Sequence, residues 1–258
     1  MSTPLRIAMW SGPRNISTAM MRAFENRADC AVSDEPLYGA WLKATGARHP
    51  MADQVIAAME CDWRRVVAQL TGPVPGAKPV WYQKHMTHHL LPEMMDSGWL
   101  TRLVHVFLIR HPVQVVASYL DRRGEVSAES IGVPQQWRLY RMVCEHIDPA
   151  PPVIDAGEFL RAPRAHLLAL CARLGIAFDP AMLEWPPGPR DSDGVWAPHW
   201  YQRVWASTGF APPDDRMPEL HGVAREVAEA CMPVYQRLYA RRLRPSTGAV
   251  PDAANGAN

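Results

Sequence analysis

The sequence predicts an α/β fold, in which an open, mostly parallel five-stranded sheet is flanked by helices in three layers. The short apolar runs are continuous instead of alternating, as in strands buried on both faces, and helical patterns lie between them. The chain has 258 residues, of which 48% are apolar and 21% charged. That length and composition are typical of a globular protein with a large core.

Five apolar runs account for the strands. The most pronounced are at residues 5–10, 80–83 and 103–109, and two less pronounced ones are at residues 30–33 and 152–155. Each run leads into a helical pattern or a turn, which favours parallel strands joined by crossover helices.

Helical periodicity predicts helices at residues 17–27, 112–121, 134–145 and 163–174, and a final amphipathic helix at residues 219–243. Residues 186–218 are rich in Pro, Gly, Trp and His, and we expect a long ordered loop there. We expect one α/β domain over residues 1–243. Residues 244–258 have no core-forming pattern and are expected to form a disordered tail.

Charge and cysteine content limit the partners. The formal net charge is +1, from 27 basic and 26 acidic side chains, so there is no overall field to bind nucleic acid or an anionic membrane. No apolar run approaches the length of a membrane span. The five cysteines are scattered without a C-x-x-C pair, which is typical of reduced thiols in the cytoplasm. We therefore expect a cytoplasmic protein whose partner is a small molecule.

The turn after the first strand has the composition of an anion site. Its residues are Gly12, Pro13, Arg14, Asn15, Ile16, Ser17 and Thr18. Backbone N–H groups at a helix start, two hydroxyl groups and a guanidinium together can bind a phosphate or sulfate group. The alternative is an ordinary helix cap at Ser17 with Arg14 in solvent. The Walker pattern is not met, because no Lys follows.

A second basic position ends the fourth strand. Arg110 precedes a helix that begins at Pro112, and Ser118 lies eight residues after Arg110. Ligands bind at the carboxyl ends of the strands in open α/β sheets, so Arg110 is predicted to face the same crevice as Arg14. Alternatively, Arg110 reaches water. Two cationic sites at one edge predict a ligand with two anionic groups.

These two motifs resemble those of the sulfotransferase superfamily, whose members use 3′-phosphoadenosine 5′-phosphosulfate. SGPRNISTAM resembles the loop that binds the 5′-phosphosulfate, and IRHPVQVVASYL the motif that binds the 3′-phosphate through Arg110 and Ser118. The stretch from VIDAGEFL to FDPAML is also similar to the family. The resemblance implies a P-loop NTPase-like three-layer sandwich. The chain departs from the pattern at Ile16 or Ser17, where a glycine is usual, and at His111, where an acidic residue is common.

The resemblance also implies roles in sulfuryl transfer, with no metal. Arg14 is the expected cation at the transferring group. Glu35, in DEPLYGAWL, resembles the general base of carbohydrate sulfotransferases; the alternative is a simple turn at Asp34 and Glu35. Lys84 is a second candidate cation, and His85 is a reserve base.

The histidine cluster and the long loop leave alternatives open. His85, His88 and His89 have the spacing of neighbours on a helix, but we favour structural histidines over a zinc site because no acidic or Cys partner accompanies them. The long loop resembles a cover over the nucleotide, in which Trp196 and Arg203 contact the adenine or a phosphate. Packing of Trp196 in the core is the alternative.

Three functions fit this pattern. The first is transfer of a sulfuryl group from 3′-phosphoadenosine 5′-phosphosulfate to a hydroxyl or amine of a small acceptor. The second is a nucleotide-dependent phosphotransferase on the same fold, which would need Asp34 for Mg²⁺ and lacks the Walker Lys. The third is a nucleotide-binding protein without activity. The acceptor and the oligomeric state do not follow from the sequence, but we expect the acceptor pocket to be built from loops at residues 43–63 and 121–136.

Overall fold

A computed structural model describes residues 3–95 and 98–245. Its strands are β1 (Leu5–Ser11), β2 (Cys30–Asp34), β3 (Val80–Met86), β4 (Val104–Ile109) and β5 (Val153–Asp155). They form one parallel sheet in the order β2-β3-β1-β4-β5. The prediction of five strands is therefore confirmed, and every pair is parallel. The predicted tail lies outside the described residues from residue 246 onward.

The α-helices, in chain order, are α1 (Ser17–Glu25), α2 (Tyr38–Thr45), α3 (Ala52–Ala58), α4 (Trp63–Leu70), α5 (Pro92–Met95), α6 (Pro112–Arg123), α7 (Val133–His146), α8 (Ala156–Arg161), α9 (Pro163–Leu174), α10 (Ala197–Trp200), α11 (Gln202–Trp205) and α12 (Gly222–Tyr239). Short 3-10 turns lie at Pro75–Ala77, Thr87–His89, Trp99–Arg102 and Pro180–Leu183.

The sheet is buried on both faces because successive side chains of each strand enter different cores. In β1, Ile7 and Met9 pack with α1 and α9, whereas Ala8 and Trp10 pack on the opposite side with α4 and α7. This explains the continuous apolar runs, since both faces of each strand must be apolar. The result is the three-layer sandwich predicted from the sequence.

The region between β2 and β3 differs most from the prediction. Residues 43–63, expected to be an acceptor-binding loop, include the helix α3 and adjoin α2 and α4. These helices have only 7 or 8 residues, which is too short for a clear periodic signal. A local signal does exist at Asp62, whose carboxylate caps α4 by accepting a hydrogen bond from the Arg64 amide at 3.0 Å.

The C-terminal helix α12 is shorter than expected. It begins at Gly222 because His221 has extended backbone geometry, with φ −126° and ψ 159°, and it ends at Tyr239. Its C-terminal part packs beside β5: the Tyr235 hydroxyl donates to Asp155 Oδ2 at 3.1 Å. The helix thus covers the end of the sheet that carries β4 and β5.

A buried histidine is fixed as a hydrogen-bond acceptor in the core. The indole N–H of Trp10 donates to His105 Nδ1 at 2.9 Å, and His105 Nε2 lies 2.9 Å from the carbonyl oxygen of Leu100. This pairing requires the neutral imidazole with its proton on Nε2. Burial lowers the pKa of His105 to about 4.

We expect this histidine to make the protein sensitive to acid. The unfolded chain binds the proton near the ordinary pKa of 6.5, before the folded protein does, so stability is lost as the pH falls from 6.5 toward 4. At pH 5, preferential protonation of His105 in the unfolded chain lowers the unfolding free energy by about 2 kcal/mol. Urea unfolding at pH 7 and pH 5 measures it, and His105→Gln should reduce the difference. Equal stability of the native chain at both pH values would contradict the expectation.

Candidate functional site

A cavity of about 640 Å³ opens at the carboxyl edge of the sheet. The β1–α1 turn and the start of α6 line one end of it, and residues that follow β2 and β3 line the other. Residues from the 186–218 segment, including α10 and α11, lie along its side. Both basic motifs predicted from the sequence therefore face one cavity.

The N-terminus of α1 opens into this cavity without a side-chain cap. Ile16 occupies the N-cap position and makes no side-chain hydrogen bond to the helix. Ser17, predicted as an alternative cap, is the first helical residue, and it lines the cavity with Thr18. The first-turn amides of a helix have no intrahelical partners. They and the two hydroxyl groups form a site suited to an anionic oxygen.

Hydrogen bonds made by Arg14 and Arg110 connect the two basic turns. Arg14 has left-handed backbone geometry (φ 57°), and its Nε donates to Ser118 Oγ at 2.9 Å. Arg110 donates from NH1 to the carbonyl oxygen of Arg14 at 2.9 Å and from Nε to Gln114 Oε1 at 3.2 Å. The guanidinium of Arg14 thus lies against Ser118 of the second motif rather than over its own turn.

These cations have no carboxylate partners. Among the described residues, neither Arg14 nor Arg110 has an acidic side chain within 4.0 Å, and the same is true of Arg122 and Arg203. Burial and the neighbouring arginines 122, 203 and 110 lower the pKa of Arg14. Burial also lowers the pKa of Arg110. An anion in the cavity would relieve this repulsion.

Gly12 packs closely against another segment of the fold, and its predicted part in binding an anion stays a prediction. Gly12 is not among the residues that line the cavity. A Cβ atom at this position would lie 2.5 Å from the carbonyl oxygen of Ile131. Gly12 therefore allows the β1–α1 turn to approach the segment before α7 closely. Pro13 and Asn15 do line the cavity, and Asn15 also holds the turn by donating to the Leu108 carbonyl oxygen at 3.3 Å.

The other end of the cavity contains a buried lysine with two carboxylates. Lys84 Nζ lies 2.7 Å from Asp34 Oδ1 and 2.7 Å from Glu35 Oε1. It also contacts the Tyr201 hydroxyl at 2.5 Å, and that hydroxyl donates to Asp34 Oδ2 at 2.7 Å. Parallel pairing of β2 and β3 places Asp34 directly beside Lys84. The sequence analysis named Lys84 and Glu35 but missed the role of Tyr201.

Glu35 is the least buried member of this group. Its side chain is 13% exposed, against 1% for those of Lys84 and Asp34. Its backbone is left-handed (φ 44°), and its amide donates to the Lys84 carbonyl oxygen at 2.9 Å. Burial raises the pKa of Glu35, and Lys84 opposes that rise. One carboxylate oxygen, Oε1, accepts from Lys84, which leaves Oε2 for the cavity, 3.9 Å from His89 Nδ1.

His85 is misplaced for the role of a base. The strand β3 continues to Met86, so Lys84 and His85 lie on opposite faces of the sheet. The His85 ring stacks on Trp10 with centroids 4.4 Å apart, and His85 does not line the cavity. Burial lowers its pKa to about 3. The expectation of a reserve base was therefore wrong, because the strand was predicted to end at residue 83.

The long segment 186–218 lies along one side of the cavity. The two residues predicted to contact the nucleotide, Trp196 and Arg203, have different surroundings. Trp196 is only 3% exposed, and its indole N–H donates to the Tyr201 hydroxyl at 3.2 Å. Its packing alternative is the one observed, although the residue also lines the cavity. Arg203 is exposed and lines the cavity. Aromatic content indicated a structured segment, but no pattern singled out Tyr201 among its aromatic residues.

Two of the three clustered histidines, His88 and His89, line the same cavity, whereas His85 does not. His88 and His89 line the cavity together with His49. Within residues 3–95 and 98–245, no group of three or more His, Cys, Asp or Glu side chains is arranged to hold a metal ion. In the same residues, every helix is too short or too polar to cross a membrane.

The fold is that of an α/β protein with an arginine-lined cavity at the carboxyl edge of its parallel sheet. A family model described as "Sulfotransferase domain" matches residues 5–242. The chain therefore belongs to the sulfotransferase domain family, which confirms the resemblance found in its motifs.

Solved structures share this fold. The sulfotransferase domain from the curacin biosynthetic pathway superposes with a TM-score of 0.61 at 15% identity, over 93% of this chain and 99% of that domain. The sulfotransferase domain of the Synechococcus PCC 7002 olefin synthase superposes with a TM-score of 0.57 at 17% identity, over 92% of this chain and 96% of that domain. A sulfotransferase from Alicyclobacillus acidocaldarius superposes with a TM-score of 0.54 at 13% identity, over 93% of this chain and 96% of that protein.

Two curated relatives from Arabidopsis thaliana are more similar in sequence. "Branched-chain-amino-acid aminotransferase-like protein 2" is 36% identical over 236 residues, and protein 1 of the same name is 37% identical over 239 residues. The matches cover 90% and 92% of this chain but only 41% and 42% of the relatives. The chain thus spans about two fifths of their length.

We expect Asp34 to anchor the 186–218 segment to the sheet. Asp34 accepts hydrogen bonds from Lys84, Tyr201 and the Gly194 amide. Asp34→Asn should lower the unfolding free energy by about 1–3 kcal/mol, because an amide cannot accept all three hydrogen bonds and leaves a buried donor without an acceptor. It should also speed proteolysis within residues 186–218.

The control for this substitution is Glu229→Gln, which breaks the exposed pair of Glu229 with Arg225. That change should alter stability by less than about 1 kcal/mol. Urea unfolding and limited proteolysis measure both effects. If Asp34→Asn were as mild as the control, the anchoring role would be refuted.

Proposed function

We propose that this protein transfers a sulfuryl group from 3′-phosphoadenosine 5′-phosphosulfate to a hydroxyl or amine of a small acceptor. Membership of the sulfotransferase domain family supports the transferase chemistry. The observation that carries the proposal is the pair of interlocked arginines, Arg14 and Arg110, without carboxylate partners beside an uncapped helix N-terminus. Such a site suits a ligand with more than one anionic group.

The donor molecule would extend along the first end of the cavity. Arg110, Ser118 and the guanidinium of Arg14 lie together and would bind the 3′-phosphate. The α1 amides and the hydroxyl groups of Ser17 and Thr18 would bind the 5′-phosphosulfate. This assignment moves Arg14 from the transferring group to the 3′-phosphate. Lys84 Nζ already donates to Asp34, Glu35 and Tyr201, so this second predicted cation would act on Glu35 instead of on the sulfuryl group. Arg203 remains as an exposed cation along the side of the cavity.

Glu35 is positioned to take the acceptor proton. The acceptor oxygen would form a bond to sulfur as the bond between sulfur and the 5′-phosphate oxygen breaks, with adenosine 3′,5′-bisphosphate as the leaving group. The proton of the acceptor hydroxyl would pass to Glu35, whose Oε2 is not engaged by Lys84. Lys84 keeps Oε1 in place, so the base has a fixed orientation.

The geometry favours this reaction over a phosphotransferase. The alternative assigned Mg²⁺ binding to Asp34, but both carboxylate oxygens of Asp34 already accept hydrogen bonds, from Lys84, Tyr201 and the Gly194 amide. The aminotransferase-like name of the Arabidopsis relatives describes proteins more than twice as long as the matched region. We propose no aminotransferase chemistry for this chain.

We expect adenosine 3′,5′-bisphosphate to stabilise the protein. At a hundred times its Kd it should add about 2.7 kcal/mol, which corresponds to a rise of about 5–10 °C in melting temperature. ATP without Mg²⁺ should give a much smaller rise, because it has no 3′-phosphate for Arg110. Thermal-shift titration measures both. Equal shifts, or no shift with the bisphosphate, would refute the proposed function.

Arg110→Ala should weaken bisphosphate binding by roughly tenfold to hundredfold, since it removes a charged hydrogen-bonding partner. The control is Arg64→Ala, because Arg64 is exposed, stacks on Trp63 at 4.6 Å and does not line the cavity. Isothermal titration calorimetry should give the Arg64 variant the native affinity. Native affinity in the Arg110 variant as well would contradict the 3′-phosphate assignment.

Glu35→Gln should leave bisphosphate affinity within about twofold and slow sulfuryl transfer by about 10²–10⁴, as for loss of a general base.

Because burial raises the pKa of Glu35, activity of the native chain should fall on the acid side at a pH above the ordinary carboxyl value of 4.5. In Lys84→Gln, the opposing charge is lost and this acid limb should move to higher pH. Rate–pH profiles measure the shift; an unmoved limb would remove Glu35 from the role of base.

A further inference from the structure

The end of the cavity beyond Glu35 is built from flat rings. The Tyr38 ring stacks on that of His89 at 4.5 Å. The Trp41 ring lies 4.9 Å from His89 and lines a second, adjoining cavity instead of this one. His49 joins them, with Nδ1 2.8 Å from the Tyr38 hydroxyl. Trp200 lines the same end. These walls suit a planar or apolar molecule.

The imidazoles at this end are uncharged at neutral pH. Burial lowers the pKa of His49 to about 4 and that of His88 to about 3, and it holds that of His89 well below 6.5. The Nδ1 atoms of His88 and His89 are buried without a hydrogen-bond partner. The rings therefore supply polar edges but no positive charge.

The cations of the cavity fall into two groups, according to the side chains whose pKa their charge lowers. Arg110, Arg122 and Arg203 lower the pKa of Arg14, at the end proposed for the donor. Arg123 instead lowers the pKa of Tyr38, His49 and His88, at the ring-lined end. Arg122 and Arg123 both line the cavity, and Arg123 also lines the adjoining cavity together with His49 and His88 of the ring-lined end.

Arg123 is held in place but has no acidic partner. Its guanidinium carbon lies 5.6 Å from the Trp200 ring centroid and 6.0 Å from that of Tyr119. Within the part of the chain that the structure describes, no acidic side chain forms an ion pair with it at 4.0 Å or less. An arginine stacked on aromatic rings is well oriented to bind a carboxylate in two-point fashion.

Two simpler explanations do not account for Arg123. A cation near the last turn of α6 stabilises the helix end, but Arg122 also provides this. The other explanation is that Arg123 serves the adjoining cavity, whose lining has two acidic side chains, Glu125 and Glu129, and two basic ones, Arg48 and Arg123. Neither acidic residue lines the 640 Å³ cavity, whereas Arg123 does. Among the described residues, Arg123 therefore lies between the two cavities at the ring-lined end, without an ion pair.

We propose that the acceptor is a hydroxylated carboxylic acid with a planar or apolar body, whose carboxylate binds Arg123 while its hydroxyl faces Glu35. This inference rests on the proposed function. Only the hydroxyl reacts: its oxygen gains the sulfuryl group, its proton goes to Glu35, and adenosine 3′,5′-bisphosphate leaves. The carboxylate is unchanged and sets the orientation.

The test compares each of three hydroxy acids with its neutral amide. The probes are para-hydroxyphenylacetate, para-hydroxyphenylpropionate and beta-hydroxyoctanoate, which differ in body and spacer. Calorimetry on the protein saturated with adenosine 3′,5′-bisphosphate measures their affinities. At least one acid should bind roughly tenfold to hundredfold more tightly than its amide, the effect of one charged pair. That acid should also accept sulfate from the labelled donor.

Substitutions assign the selectivity to a residue. Arg123→Gln should bring the acid and its amide to similar affinity, and Arg123→Lys should restore part of the preference. Arg122→Gln should weaken the bisphosphate and leave the preference for the acid intact. Arg64→Gln, outside the cavity, should change neither. Circular dichroism checks that each variant remains folded.

The outcomes separate the two proposals. If the bisphosphate binds but no acid is preferred over its amide, or no acid binds, the acceptor class is wrong and the sulfotransferase function stands. A preference that survives Arg123→Gln also overturns the assignment. If the bisphosphate itself fails to bind, the proposed function fails, whatever the acids do.

Discussion

The site depends on one arrangement, in which two arginines from different turns are brought together and neither forms an ion pair with an acidic side chain in residues 3–95 and 98–245. Arg110 donates to the backbone of Arg14, and Arg14 donates to Ser118. Parallel pairing of β1 with β4 makes this possible, because it brings their carboxyl ends to one edge. Burial of the two guanidinium groups is costly, and Arg110, Arg122 and Arg203 add repulsion at Arg14. A ligand with two anionic groups would offset that cost.

A second cluster provides a contrasting charge balance. Lys84 is buried between Asp34 and Glu35, so this group has one negative charge more than positive when all are ionised. Tyr201 connects it to the 186–218 segment. Glu35, the most exposed of the three, is the member that can meet an acceptor. The cavity thus has one end lined by arginines and another with a carboxylate, which would serve the proposed donor and the proposed proton transfer respectively.

The sequence predicted the sheet and both basic turns, because continuous apolar runs and the Arg110-to-Ser118 spacing are local features. It failed where position depends on tertiary structure. His85 looked available because β3 was predicted to end at residue 83, yet the strand runs to Met86 and turns the ring into the core. Tyr201 had no distinguishing pattern, since its partner Asp34 is 167 residues away. The direction of the Arg14 side chain toward Ser118 was equally beyond a sequence pattern.

The most direct measurement is a crystal structure of the chain with adenosine 3′,5′-bisphosphate. The account predicts one phosphate group within hydrogen-bonding distance of Arg110 and Ser118, and the other at the amides of Ser17 and Thr18 at the start of α1. The space beside Glu35 and Arg123 should remain open to an acceptor. A nucleotide bound elsewhere, or with neither phosphate on Arg110, would contradict it.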